Sequence, residues 1–306
     1  MPFHVTVMVA QVVAGLVWDR RGRYLDATAG GGGHSRAILE ALDLEGRLLA
    51  ADRDPEAVAA TRGALAEYGE RATVVQATFV QLRQVVQEHD FGPLAGVLFD
   101  LGVSSHQIDA AERGFSYREE GPLDMRMDPA AGLPVAAWLA QAEPEELEQV
   151  IRRYGEERQA RRIARSICRI RQDEALRTTA DLRRAVERAR PAHLTKTLAR
   201  VFQALRMAAN EEPEQLDAGL DAAADLLGPG GRLVTVAYHS LEDRRVKVRL
   251  GPQVKGCICP PRVPVCVCGR RPTFRKVLPR PQRAATDEVA RNRRARSAVL
   301  RVYERV

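Results

Sequence analysis

Four consecutive glycines, Gly30 to Gly33, stand between a run ending in Tyr24-Leu25-Asp26 and a helix-forming stretch that begins at Ser35. A strand, a glycine turn and a helix make a βα unit, whose helix N-terminus aims unpaired N–H groups at a ligand lying across the turn. Three ligand classes compete for it. A P-loop needs a lysine after its last glycine, and none follows here. A dinucleotide fingerprint matches Gly30 and Gly32 but places its third glycine where Ser35 stands. S-adenosylmethionine has no pyrophosphate and needs only small residues for close approach. Asp26-Ala27-Thr28-Ala29-Gly30-Gly31-Gly32 meets that need, with Thr28 in place of one glycine. Asp52, at the end of the next apolar run, can accept both hydroxyls of a ribose. A cap on the helix opening at Pro55 is its structural alternative.

These groups need a frame. Residues 5 to 100 alternate between strand and helix patterns, with strands over 24–26, 46–54, 72–79 and 94–102. Such alternation builds a parallel, doubly wound sheet. Ligands of these sheets bind at the carboxyl ends of the strands, where Asp52, Phe79 and Asp100 follow strands two, three and four. Phe79 suits stacking on an adenine or a place in the core, and His34 a ligand contact or a helix cap. After Gly102 the strand pattern stops. Residues 107–195 read as a Gly/Pro-punctuated loop and then helices, one of them carrying Ile163, Ile167 and Ile170 on one face. Strand character resumes at "RLVTVAYHS" (232–240). The predicted organisation is a discontinuous α/β domain, 1–106 and 196–306, interrupted by a helical domain, 107–195.

The net charge of +7 is unevenly spread over the 306 residues. Residues 152–206 hold 16 Lys and Arg against 6 Asp and Glu, and residues 270–306 hold 12 against 3, so the remainder is acidic. Two basic regions point to a polyanionic partner; solvated arginine-rich faces are the plainer alternative. No stretch reaches the ~18 apolar residues of a membrane span, and the apolar run over 5–18 lacks a cationic leader. A cytoplasmic protein is expected, with no membrane partner. Cys257, Cys259, Cys266 and Cys268 form C-x-C-x₆-C-x-C. C-x-C is tighter than the usual C-x₂-C of zinc sites, so free thiols in a surface hairpin lead over zinc, and no metal ligand is assigned. Cys168 falls in an apolar helical stripe.

The stretches "HVTVM", "AGGGGHSRAIL", "ADRDPEAV", "DLGVSS…DMRMDP", "YGEER", "TKTLARVFQALRMAANEE", "HSLEDRRVK" and "NRRARSAVLRV" stand in this order along nearly the whole chain. Together they resemble the bacterial 16S rRNA (cytosine-N4)-methyltransferase family. The resemblance implies a Rossmann-like class I S-adenosylmethionine-dependent methyltransferase sheet with an inserted all-helical domain for RNA recognition. It implies S-adenosylmethionine as donor and a cytosine in the decoding centre of 16S rRNA, within the small ribosomal subunit, as acceptor. Matching residue by residue, cofactor contacts fall on Gly32, Gly33, His34, Asp52, Phe79, Asp100 and Gln107; the turn itself adds Gly30. Asp100 and Ser104 are the candidates for orienting the amine. His239 is a candidate for holding the base or relaying a proton, or for anchoring a strand end. Candidate RNA contacts are Arg126, Arg161, Arg162, Arg165, Arg169, Arg206 and Arg244. A homodimer remains an open expectation.

One departure stands out. Many amino-methyltransferases carry Asn/Asp/Ser-Pro-Pro-aromatic after strand four, where this chain has Asp100-Leu101-Gly102-Val103-Ser104-Ser105. Amine chemistry therefore rests on the resemblance. Carbon-5 methylation needs a cysteine nucleophile, and none lies near strand four. The alternatives are methylation of another nucleic-acid amine, nicotinamide-dependent oxidoreduction, and RNA binding without catalysis.

Overall fold

In the computed structural model, which describes residues 6–260 and 265–306, the chain starts with α1 (Val9–Leu16) and β1 (Arg23–Asp26). It continues through α2 (Gly33–Ala41), β2 (Arg47–Asp52), α3 (Pro55–Ala64), β3 (Ala72–Gln76), α4 (Leu82–Glu88) and β4 (Leu94–Asp100). The start of "HVTVM" and the 261–264 tip of the cysteine segment lie outside the described residues. Leu48, Leu49, Ala50 and Ala51 of β2 are all buried, as expected of a parallel strand covered on both faces. Pro55 and Asp54, whose carboxylate accepts the Glu56 N–H, start α3. The capping acid is therefore Asp54, which leaves Asp52 for other work.

Helices α5 (Ser105–Asp109), α6 (Val135–Gln141), α7 (Pro144–Gly155), α8 (Ala160–Asp173), α9 (Thr179–Arg188) and α10 (Leu194–Ala209) follow. The chain then runs through α11 (Glu212–Leu226), β5 (Leu227–Ala237), α12 (Ser240–Lys255), β6 (Phe274–Lys276), β7 (Gln282–Arg283), α13 (Thr286–Arg291) and β8 (Val299–Arg305). Two compact units result: residues 1–102 with 213–306, and residues 103–212.

The sheet of the first unit has the order β3-β2-β1-β4-β5-β8-β6, with β7 also on β8. β1 to β5 are parallel and β8 is antiparallel. The order reverses direction between β1 and β4, the switch point at which such sheets open a ligand crevice. Alternate residues serve opposite faces. Leu25, Leu49, Val97 and Leu233 pack with Leu216 and Leu220 of α11. Tyr24, Leu48, Leu98 and Val234 pack with Leu16 of α1 and Ile38 of α2.

The second unit has its own core. Ile163, Ile167 and Ile170 of α8 are buried with Leu147 and Ile151 of α7, as their spacing predicts. Leu198, Val201, Phe202 and Leu205 of α10 enter the same core. The unit therefore ends at 212, not at the expected 195, and begins at 103 instead of 107. Asn210, just past α10, is buried and holds the "DMRMDP" loop. Its amide donates to Met125 O (2.7 Å) and its carbonyl accepts the Met127 N–H (2.7 Å).

Candidate active site

The glycine turn is tied to two carboxylates. Asp26, fully buried at the end of β1, accepts the Ser35 hydroxyl (2.7 Å) and the Thr28 N–H (3.1 Å). These bonds hold the entry to α2, and Ser35 is thereby a frame residue rather than a failed third glycine. Asp52 accepts the Gly30 N–H (2.8 Å) on one oxygen and the Asp54 N–H (2.9 Å) on the other. Desolvation raises its pKa to about 6 despite these bonds.

Gly30 and Gly32 have φ of 54° and 81°, the left-handed region that side chains disfavour. The space where a Cβ of Gly30 would stand meets nothing nearer than Thr28 O at 3.9 Å, so the backbone there is open to a ligand. Gly33 differs. A Cβ there would collide with the Thr6 hydroxyl, so its missing side chain serves packing.

Asp100 is the last residue of β4. Its Oδ1 accepts the Tyr238 hydroxyl at 2.9 Å, and its Oδ2 lies 3.3 Å from His34 Nε2. Its backbone N–H donates to Thr28 Oγ1 (2.7 Å), joining β4 to the glycine turn. Burial works to lower the His34 pKa, but Asp100 and Asp26 outweigh it and leave the imidazole above its ordinary value. Burial and the Asp100 carboxylate push the Tyr238 phenol upward, so it stays a donor. Both ring nitrogens of His34 are buried without a hydrogen bond among the described residues, the approach of Nε2 to Asp100 being an ion-pair contact. The buried His34 ring, the open glycine backbone and a carboxylate with spare lone pairs fit the methionine and ribose parts of S-adenosylmethionine.

Other predicted site residues have local structural roles. Phe79, partly buried after β3, packs edge-on against Phe99 with ring centroids 5.1 Å apart. Ser104 and Gln107 lie in the second unit and cap α5 reciprocally: Ser104 Oγ accepts the Gln107 N–H, and Gln107 Oε1 accepts the Ser104 N–H. His239 caps α12, with its Nδ1 facing the Glu242 N–H and its Nε2 2.8 Å from Glu242 Oε1. That cap engages the ring expected to hold the base. Arg126 is held by Asp124 through two bonds of 2.7 and 2.9 Å, and Arg206 by Glu212 through two of 2.7 and 2.8 Å. Both are buttresses instead of exposed phosphate contacts. Arg161, Arg162, Arg165, Arg169 and Arg244 are exposed.

Tyr238 escaped the sequence reading. Its signal is its place: it immediately follows β5, the neighbour of β4, beside a carboxylate already suspected.

The switch-point sheet, with the glycine turn after β1 and Asp52 ending β2, is that of an S-adenosylmethionine-dependent methyltransferase with a Rossmann-like fold. The chain belongs to the MraW methylase family, matched over residues 1–306. It is 46% identical over 305 residues to the ribosomal RNA small subunit methyltransferase H of Thermomicrobium roseum, covering 99% of this chain and 94% of that one. The protein of the same name from Heliobacterium modesticaldum is 44% identical over 311 residues, with 99% and 98% covered. Among solved structures, an rRNA methylase from Streptococcus thermophilus aligns with a TM-score of 0.43 and 12% identity over 97% of this chain and 93% of that one. An O-methyltransferase from Bacillus cereus in complex with SAH aligns with a TM-score of 0.45 and 7% identity, over 99% and 84%. No helix among the described residues is long and apolar enough to cross a membrane.

Proposed function

We propose that the protein methylates the N4 amine of a cytosine in the decoding centre of 16S rRNA, acting on the small ribosomal subunit. The observation that carries this reading is Asp100, a carboxylate at the switch point held by Tyr238 and His34 beside the glycine turn. Relatives named for small-subunit rRNA methylation support the substrate class.

When bound, S-adenosylmethionine supplies a methyl group on a sulfonium sulfur, already activated for displacement. Gly30, Gly32, His34 and Asp52 would hold it. Two of the roughly four acceptor positions of Asp52 are taken by Gly30 and Asp54, and the others serve the ribose. The acceptor is the harder partner, because the N4 lone pair of cytosine is delocalised into the ring. An acceptor beside the amine orients it and returns density to nitrogen. Asp100 would supply that acceptor and take the proton that the amine gives up. Tyr238 and His34 fix the carboxylate in advance, so little reorganisation accompanies transfer. Unstacking the cytosine costs a few kcal/mol. Phosphate contacts from Arg161, Arg162, Arg165 and Arg169 on α8 offset that cost.

Small subunits from cells lacking the protein, incubated with it and labelled S-adenosylmethionine and then digested to nucleosides, test the reading. Label in N4-methylcytidine is expected. Label in any other nucleoside, or none on the subunit, overturns it.

A further inference from the structure

Between α12 and β6 the chain makes a segment, 256–273, with no helix or strand among its described residues. Among its described residues the large apolar side chains are exposed: Ile258, Val265 and Val267 are 53%, 71% and 79% exposed. Its neck is nonetheless pinned. A Cβ on Gly256, which has a φ of 71°, would collide with the Arg271–Pro272 backbone, so the two legs pass in direct contact. The Thr273 N–H donates to Gln253 O at 2.9 Å. Beyond the neck the legs carry one C-x-C each, face to face.

The four sulfurs converge. Cys266 Sγ lies 3.5 Å from Cys257 Sγ, 4.0 Å from Cys259 Sγ and 3.5 Å from Cys268 Sγ; Cys257 and Cys268 are 3.8 Å apart. All four lie within 4.8 Å of one another, and all are free thiols. These separations are far beyond the ~2.05 Å of a disulfide. They match another object. Four thiolates ~2.3 Å from a central zinc sit at the corners of a tetrahedron with edges of about 3.8 Å. A polynuclear iron–sulfur cluster holds its cysteines farther apart than this cage allows. The Val267 N–H points at Cys259 Sγ (3.4 Å), the kind of bond that steadies a metal-bound thiolate.

We infer that Cys257, Cys259, Cys266 and Cys268 form a structural Zn²⁺ site that closes this segment. Four thiols give up four protons to solvent as the ion binds, leaving a site of net charge −2 that Lys255, Arg270 and Arg271, adjacent in sequence, partly offset. A short segment whose described apolar side chains stay exposed gains its order from such a staple. All four positions are filled by protein, so the ion has no open site for substrate and takes no part in methyl transfer.

Full-length protein purified without chelator and analysed by plasma mass spectrometry should hold about one zinc per chain. The Cys168→Ser variant should keep it, and the Cys257→Ser/Cys259→Ser/Cys266→Ser/Cys268→Ser variant should lose it. Should that variant fail to fold, Co²⁺ added to metal-stripped wild-type protein decides. One equivalent should give the intense visible absorption of a tetrahedral cobalt thiolate, and zinc should bleach it. S-adenosylmethionine affinity should change less than twofold on stripping. The proposal is overturned by wild-type protein that takes up no zinc when offered it, or by iron or copper in its place. Zinc that persists in the quadruple variant, or intramolecular disulfides among these cysteines in protein purified under reducing conditions, also overturns it.

Discussion

Replacing Asp52 by Asn separates what this carboxylate costs from what it does. Desolvation raises its pKa from 3.8 to about 6. At neutral pH the fold therefore works against the ionised form by at most about 3 kcal/mol. The sign follows from linkage: a carboxyl with a raised folded-state pKa favours folding below about pH 4 and loses that contribution as pH rises through about 6. Asn carries no charge to desolvate. Its single carbonyl oxygen serves either the Gly30 or the Asp54 N–H, and the other N–H then faces an amide NH₂, at about 1–3 kcal/mol. The two effects nearly cancel, so the variant should stay within about 2 kcal/mol of wild-type stability. Cofactor affinity should not be spared. Losing charge-assisted acceptors for the ribose costs about 1.5–3 kcal/mol, or roughly 10- to 150-fold in Kd. Calorimetric titration against pH adds a second signature. Wild-type affinity should fall as pH drops through about 6, where protonation consumes the carboxylate, and the Asn variant should be flat. A flat wild-type profile, or unchanged affinity in a folded variant, refutes the assignment of Asp52 to the ribose.

Changing Arg161, Arg162, Arg165 and Arg169 together to Gln should weaken small-subunit binding and reduce its salt slope by roughly 0.7–0.9 per lost phosphate contact; wild-type affinity and slope would make α8 a merely solvated face. Tyr238→Phe removes the 2.9 Å donor to Asp100 and should lower single-turnover methyl transfer by about 10- to 100-fold with S-adenosylmethionine affinity held within twofold. An equal loss of cofactor affinity would move Tyr238 from positioning Asp100 to binding the cofactor. Asn210→Ala strands the Met127 N–H and the Met125 carbonyl and should destabilise the protein by about 2–4 kcal/mol in denaturant unfolding; an unchanged midpoint would show that these groups find other partners.

The parallel strands were readable because burial on both faces writes an uninterrupted apolar run, as in Leu48 to Ala51. Asp52 and Asp100 were readable because a carboxylate ending such a run sits at the edge where these sheets bind ligands. Tyr238 was not, because its bond to Asp100 spans 138 residues and depends on β5 lying beside β4. The end of the helical unit was misplaced although Leu198, Val201, Phe202 and Leu205 recur at helical spacing. The pattern shows a buried face but not which core buries it. Ser104-x-x-Gln107 and His239-x-x-Glu242 carry the three-residue spacing of a capping box. Local spacing of this kind outweighed the chemical reading of Ser104 and His239. The convergence of two C-x-C arms needed the neck at Gly256, which spacing alone does not reveal.

The break between β4 and β5 bears on how the protein assembles during synthesis. β4 is complete at residue 100, but its partner β5 does not emerge until residues 227–237 have been made. Were residues 103–212 slack chain, closing that loop would cost about 4 kcal/mol in entropy before any strand pairing repaid it. They are not slack, because their core is drawn from within the unit itself. Once that unit collapses on the nascent chain, an ordered body replaces 110 flexible residues, and less chain entropy is left to lose when β5 pairs with β4. Changes to the α7–α8–α10 core should then slow sheet closure even at sites that never touch the sheet, leaving the β4 edge exposed to other chains for longer.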